Sequence, residues 1–212
     1  IERLYSDKEV EIALFNLWIL LLKRKNVDNI DCCGDATGFG LFISKHYLSY
    51  VQKLKDKAKE SDNTKKCFVY KFSLMDLSTK MYICSGTSLI SERKAFDKAM
   101  QMLKETGIKI NSIRLDRYYS HPCDVNLFPD SKVYIIPRTD AKLGHGIHWY
   151  KTMKSFVEDT MKYLEEYFKR NNSESGWSAD KKMFGWRVRQ KRDDRISTAL
   201  FCRDIWHNLF RL

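Results

Sequence analysis

"CFVYKFSLMDLSTKMYICSGTSL" (residues 67–89) decides the fold. Two runs, 67–76 and 80–89, alternate apolar and polar residues around the link Leu77-Ser78-Thr79. A period of two is the mark of a half-buried strand, and two such runs on a short link read as a β-hairpin. A hairpin is not stable alone in water and needs further strands or a helix on its apolar face. Both neighbours supply them. Upstream, "NVDNIDCCGDATGFG" (26–40) reads as an apolar-leaning strand ending in a Gly-rich turn, with Asp35 at the strand's end. Downstream, "SERKAFDKAMQMLKETG" (91–107) has apolar residues at 96, 99, 100 and 103, a helical period closed by Gly107. "INSIRLD" (110–116) is a strand ending at Asp116, and "SKVYIIPR" (131–138) is another, stopped by Pro137.

The order is strand, hairpin, helix, strand, strand, then helices, a mixed α/β pattern. It fits a ribonuclease-H-like mixed sheet, an antiparallel hairpin plus parallel strands flanked by helices. There the first three strands are antiparallel and the next two run parallel to the first. Other mixed folds fit the pattern too. Helices are expected at 7–24, capped by Ser6 or Asp7, and at 193–212. A third is expected at 151–170, with Phe156, Met161, Leu164 and Phe168 on its apolar side. Gly144 and Gly146 mark a loop before it, 61–66 is a second loop, and 41–60 reads ambiguously. The expected organisation is an N-terminal helix (1–26) packed on a ribonuclease-H-like domain (27–212).

The 212 residues are 43% hydrophobic, enough for a sizeable core, and carry a net charge of +11. That balance favours a polyanionic partner such as nucleic acid. Six cysteines, at 32, 33, 67, 84, 123 and 202, form no CxxC pair and no zinc spacing, so a reducing compartment is expected. The run "ALFNLWILLL" (13–22) is too short to span a bilayer, and no signal peptide is read. The expectation is no membrane partner and a cytoplasmic, nucleoid-associated protein. The chain begins at Ile1 rather than methionine, from which an upstream segment is expected.

"YFKRNNSESGWSADK" (167–181) places Tyr167, Arg170 and Lys181 seven before, four before and seven after Glu174. At 100° per helical residue these four side chains share a stripe about 60° wide. A solvated helix face with an Arg170–Glu174 pair explains such a stripe. A phosphate backbone held beside a metal ion explains it too. Asn171, Asn172, Ser173, Ser175 and Gly176 are poor helix formers. Asp35 and Asp116 end strands that a ribonuclease-H-like sheet makes neighbours, and Glu174 follows from a late helix. Such carboxylates are hard oxygen ligands for Mg²⁺, and two ions about 4 Å apart assist phosphoryl displacement.

These residues together resemble a known family. Tyr167, Arg170, Glu174 and Lys181 fit the Tyr-x2-Arg-x3-Glu-x6-Lys signature of insertion-sequence transposases with an Asp-Asp-Glu active site. "DATGFG" (35–40) looks like the turn holding their first aspartate, and "LDRYYS" (115–120) like the context of the second. "IWHNLF" (205–210) is similar to their closing helix with Asn near Trp, in altered order. The resemblance covers roughly 28–212. Only 58 residues separate Asp116 from Glu174, which leaves no room for the β-strand insertion many members carry. Ser173 and Gly176 stand where many have an apolar residue and no glycine. No convincing helix-turn-helix is read, so terminal-repeat recognition is expected upstream of Ile1.

The resemblance implies that Asp35, Asp116 and Glu174 hold two Mg²⁺ or Mn²⁺ ions. It further implies cleavage of double-stranded DNA at transposon ends, strand transfer to target DNA, and a homodimer on DNA. Arg170 and Lys181 would hold flanking phosphates and Tyr167 would hydrogen-bond one. Trp177 or Trp186 would stack on a flipped base or lie in the core. The run 187–195, with Arg187, Arg189, Lys191 and Arg192, is a candidate DNA track or a solvated turn. The competing readings are a ribonuclease-H-like nuclease without strand transfer and a transposase-derived DNA-binding protein without chemistry.

Overall fold

The computed structural model describes residues 3–42 and 68–212. The ambiguous segment from residue 43 and the loop at 61–66 lie outside them. Helix α1 (Lys8–Arg24) starts where expected, with the Asp7 side chain accepting from the Glu9 amide. Strand β1 (Asn29–Leu41) is followed by the hairpin β2 (Phe68–Asp76) and β3 (Tyr82–Ser88). Helix α2 (Glu92–Thr106) is capped by the Ser91 hydroxyl and ended by Gly107 at φ 68°. Strand β4 (Lys109–Leu115), the short helix α3 (Pro122–Val125) and strand β5 (Lys132–Tyr134) come next. Then come α4 (Ile147–Glu158), α5 (Thr160–Phe168), α6 (Asn171–Phe184), β6 (Arg187–Val188) and α7 (Asp193–Leu209).

The sheet runs β3-β2-β1-β4-β5, with β6 added to the far end of β1. β1, β2 and β3 are antiparallel, while β4 and β5 run parallel to β1. The molecule is therefore α/β, a mixed sheet flanked by helices, compatible with a ribonuclease-H-like arrangement. Alternation divides the sheet into two faces. On one, Phe72 packs against Phe96 of α2 with centroids 5.0 Å apart. The other carries Asp31, Cys33 and Asp35 of β1 and is covered in part by α6. There the Ser173 hydroxyl reaches Cys33 Sγ at 3.0 Å. A buried Lys71–Asp204 ion pair ties β2 to α7 on this face. Helix α1 packs along α7, with Trp18 5.1 Å from Phe201.

Side chains finish both outer strands. On β3, the Tyr82 amide donates to Asn208 Oδ1 and the Asn208 amide donates to the Tyr82 carbonyl, each at 2.8 Å. Just past β5, the Ile135 amide donates to the Tyr163 hydroxyl at 2.8 Å.

Several expectations need correction. β1 does not end in a turn at Asp35. It continues to Leu41, because β2 pairs with it as far as Gly40 and β6 joins at Gly40 and Leu41. The helix expected at 151–170 is two helices, broken at Asp159, which leaves helical geometry and caps α5 through the Lys162 amide. The break resets the helical phase, so Met161 and Phe168 lie exposed while Tyr163 and Tyr167 are buried. The helix also begins earlier than read, at Ile147, directly after Gly146 at φ 100°. The strand expected at 131–138 is only three residues long, since β4 offers partners only from Ser112 to Arg114. Among the described residues, no helix is long and apolar enough to cross a membrane.

Candidate active site

The register of β1 with β4 builds the site. Asp31 pairs with Ser112, Cys33 with Arg114, and Gly34 with Leu115. Asp35 and Asp116 are the next residues along, on adjacent strands spaced about 4.8 Å apart. Here β4 stops, and Asp116 caps a single 3₁₀ turn through the Arg117 amide. β1 has no parallel partner again until Gly40 meets Arg187. From Asp35 to Phe39 one side of β1 is therefore open. The Ala36 amide on this stretch is satisfied by Asp35 Oδ1 at 2.8 Å.

Helix α6 borders that gap, and its sequence explains how. Ser173, Gly176, Trp177 and Asp180 are buried, at the i, i+3, i+4, i+7 spacing of a core-facing stripe. Ser173 and Gly176, two of the residues that read as poor helix formers, form the contact surface, while Asn171 and Ser175 face solvent. A Cβ at Gly176 would overlap the Met75 methyl and stand 3.1 Å from the Tyr82 hydroxyl. Close approach brings Glu174 and Lys181, flanking the stripe, to the gap in the sheet.

The three acidic side chains converge on one atom. Arg170 Nη1 lies 3.8 Å from Asp35 Oδ2, 3.8 Å from Asp116 Oδ2 and 3.3 Å from Glu174 Oε1. No two of these oxygens are thus further apart than about twice that reach. The Arg170–Glu174 helix pair exists, as a solvated helix face requires, but the same guanidinium also faces carboxylates from β1 and from the end of β4. Arg170 stands at the junction of α5 and α6, so the stripe is not one continuous helix. Burial is the main cause that raises the Asp35 pKa to about 6. The Ala36 amide and Arg170 oppose it, while Asp116 and Glu174 add to it.

Lys181 projects across the gap, its ammonium donating to Thr37 Oγ1 at 2.6 Å and lying 5.2 Å from the Phe39 ring centre. Burial holds its pKa below the ordinary lysine value. A groove of about 720 Å³ opens here, lined by Asp35, Thr37, Glu174, Lys181 and Trp186 among others. Thr37 was not read from sequence, because its segment looked like a turn.

Other expected site residues are placed differently. Tyr167 is not presented to the surface. It is 3% exposed, clustered with Tyr134 and Tyr163, with the Arg170 guanidinium 5.7 Å from its ring centre. In this conformation it supports Arg170 rather than offering a phenol to a ligand. Trp177 is a core residue stacked on Tyr82 at 5.1 Å, whereas Trp186 is exposed at the groove. Arg187, Arg189, Lys191 and Arg192 are all exposed. Arg187 and Arg189 pack over Phe42, while Arg192 forks onto Asp194 at 3.2 and 2.8 Å, so its charge is offset locally.

Three carboxylates supply the hard oxygen donors that Mg²⁺ or Mn²⁺ takes, so the donor chemistry fits such ions. Among the described residues, no three carboxylate, imidazole or thiol groups stand close enough to hold an ion as placed. The point that the three carboxylates surround is occupied by the Arg170 nitrogen.

Comparison with curated proteins finds a similar sequence. The chain is 47% identical over 212 residues to the probable transposase for insertion sequence element ISA1214 of Archaeoglobus fulgidus. The match covers 99% of this chain and 62% of that relative. The chain thus spans less than two thirds of the relative's length. No protein-family model and no solved structure matches it.

Proposed function

We propose that this chain is the ribonuclease-H-like catalytic core of an insertion-sequence transposase of the Asp-Asp-Glu type. The observation that carries the reading is the convergence of Asp35, Asp116 and Glu174, from three separate elements, at the open side of β1. The similarity to a probable transposase supports it. So does the net charge of +11, which suits a DNA partner.

In this reading Asp35, Asp116 and Glu174 would hold two Mg²⁺ or Mn²⁺ ions, whose chemistry there would be activation of the attacking oxygen and stabilisation of the leaving one. The reaction is in-line hydrolysis at a transposon end, followed by attack of the freed 3′-hydroxyl on target DNA. The protein's own groups position the strand. Lys181, steadied by Thr37, offers a cation at the groove for the phosphate beside the cut. Arg170 supplies a second cation, and Arg187 and Arg189 extend the positive surface. Tyr167 backs Arg170 from the core. Residues 27–212 form the catalytic unit, with α1 packed on it, and a homodimer would bring two ends together.

The test is Mg²⁺-dependent nicking of duplex DNA carrying the element's ends. Asp35→Asn and Asp116→Asn should each abolish cleavage while leaving DNA affinity equal or higher, since each removes negative charge beside phosphate. Cleavage by Asp116→Asn at the wild-type rate would remove Asp116 from the site. Joining of a labelled end to target DNA separates a transposase from a nuclease that only cuts.

A further inference from the structure

Arg170 is an unusual counter-ion. Its side chain is 17% exposed, hydrogen-bonds the Tyr167 side chain and lies among three carboxylates, yet neither Nε nor Nη1 makes a hydrogen bond. An arginine that serves as a permanent structural partner binds a carboxylate through a directed fork. Here the approaches are 3.3–3.8 Å and spread over oxygens from β1, the end of β4 and α6. Toward the carboxylates such a cation is held by summed charge rather than by oriented bonds, and can be exchanged for another.

We infer that Arg170 is an exchangeable internal cation that holds Asp35, Asp116 and Glu174 together and must leave before divalent ions load. The inference rests on the metal-site reading above. A divalent ion held by the same oxygens would compete with the guanidinium for them, and two cations so close in a partly buried site repel strongly. A DNA phosphate gives the displaced guanidinium a new partner. DNA and metal therefore load cooperatively, each raising the affinity of the other by the same factor. The chain without DNA is a poor metal binder, which keeps the phosphoryl-transfer chemistry off until a strand is seated. Arg170 acts as a positioning residue.

The experiment measures Mn²⁺ binding to the DNA-free chain from the electron paramagnetic resonance signal of free Mn²⁺. Wild type should bind weakly. Arg170→Gln should bind at least about tenfold more tightly, and adding Asp35→Asn to it should abolish the gain. If Arg170→Gln folds only when Mn²⁺ is added, the exchange is supported directly. Should the neutral variant not fold at all, Arg170→Lys decides. It keeps the charge on a shorter stem, so its affinity should exceed that of wild type. Equal Mn²⁺ affinity in wild type and variants, still lost on Asp35→Asn, would overturn the exchange and leave the metal site standing. Binding that never depends on Asp35 would overturn both.

Discussion

At the scale of single residues, Asp35 carries the sharpest consequence. Its carboxyl is mostly buried and its pKa is raised to about 6, so the folded chain holds this proton more tightly than the unfolded chain does. Stability from this group is complete below about pH 4, where both states are protonated. It is lost as pH rises through 6. In metal-free buffer, urea midpoints should fall between pH 5 and pH 7 in wild type, and Asp35→Asn should flatten that fall. An equal slope in the variant would assign the dependence elsewhere. The same proton competes with cations, so divalent affinity should weaken below pH 6. Lys181 makes a separate prediction. Lys181→Ala should lower the salt slope of end binding by about one unit and slow cleavage, with stability changed by no more than about 1 kcal/mol. An unchanged slope with unchanged cleavage would make Lys181 only a tether for Thr37.

Helices and strands were legible wherever local pattern and tertiary environment agreed. The hairpin at 68–88 and the helix at 92–106 follow their periods, with caps at Ser91 and Gly107. The strand through Asp35 was legible only in its first half. Thr37, Gly38 and Gly40 look like turn chemistry, and only pairing with β2 and β6 keeps them extended. The break at Asp159 was hidden because the sequence on either side is strongly helical, so nothing local signals the phase reset. Of the candidate site, Asp35, Asp116 and Glu174 could be singled out from strand ends and from the resemblance, but the central place of Arg170 could not, because it depends on three elements meeting. Two glycines test this element-level packing. A Cβ at Gly86 would collide with the Ala95 carbonyl and the Ala99 amide of α2, backbone that cannot step aside. Gly86→Ala should cost about 1–3 kcal/mol or more, read as a lower melting temperature. Gly176→Ala meets mainly the far end of the flexible Met75 side chain, so its stability loss should be smaller. Its cleavage rate should fall further than its stability, because the shift displaces Glu174. Equal losses at the two positions would contradict this account of α6.

For the molecule as a whole, the sheet's two borders matter as much as its centre. An outer strand presents unpaired amides and carbonyls, a ready template for another chain. On β3 the carboxamide of Asn208 answers both backbone groups of Tyr82, as a neighbouring strand would. It does so from a fully buried position on α7, so the closing helix supplies a one-residue imitation of a strand. Its consequence concerns solubility. Asn208→Ala should leave the site's carboxylates in place yet expose a stub of edge, and the chain should form β-rich aggregates as concentration rises. Light scattering of wild type and variant across a concentration series, with thioflavin T fluorescence, reads that outcome. A variant that stays monodisperse and dye-negative at every concentration would show that Asn208 holds α7 in place without guarding the border.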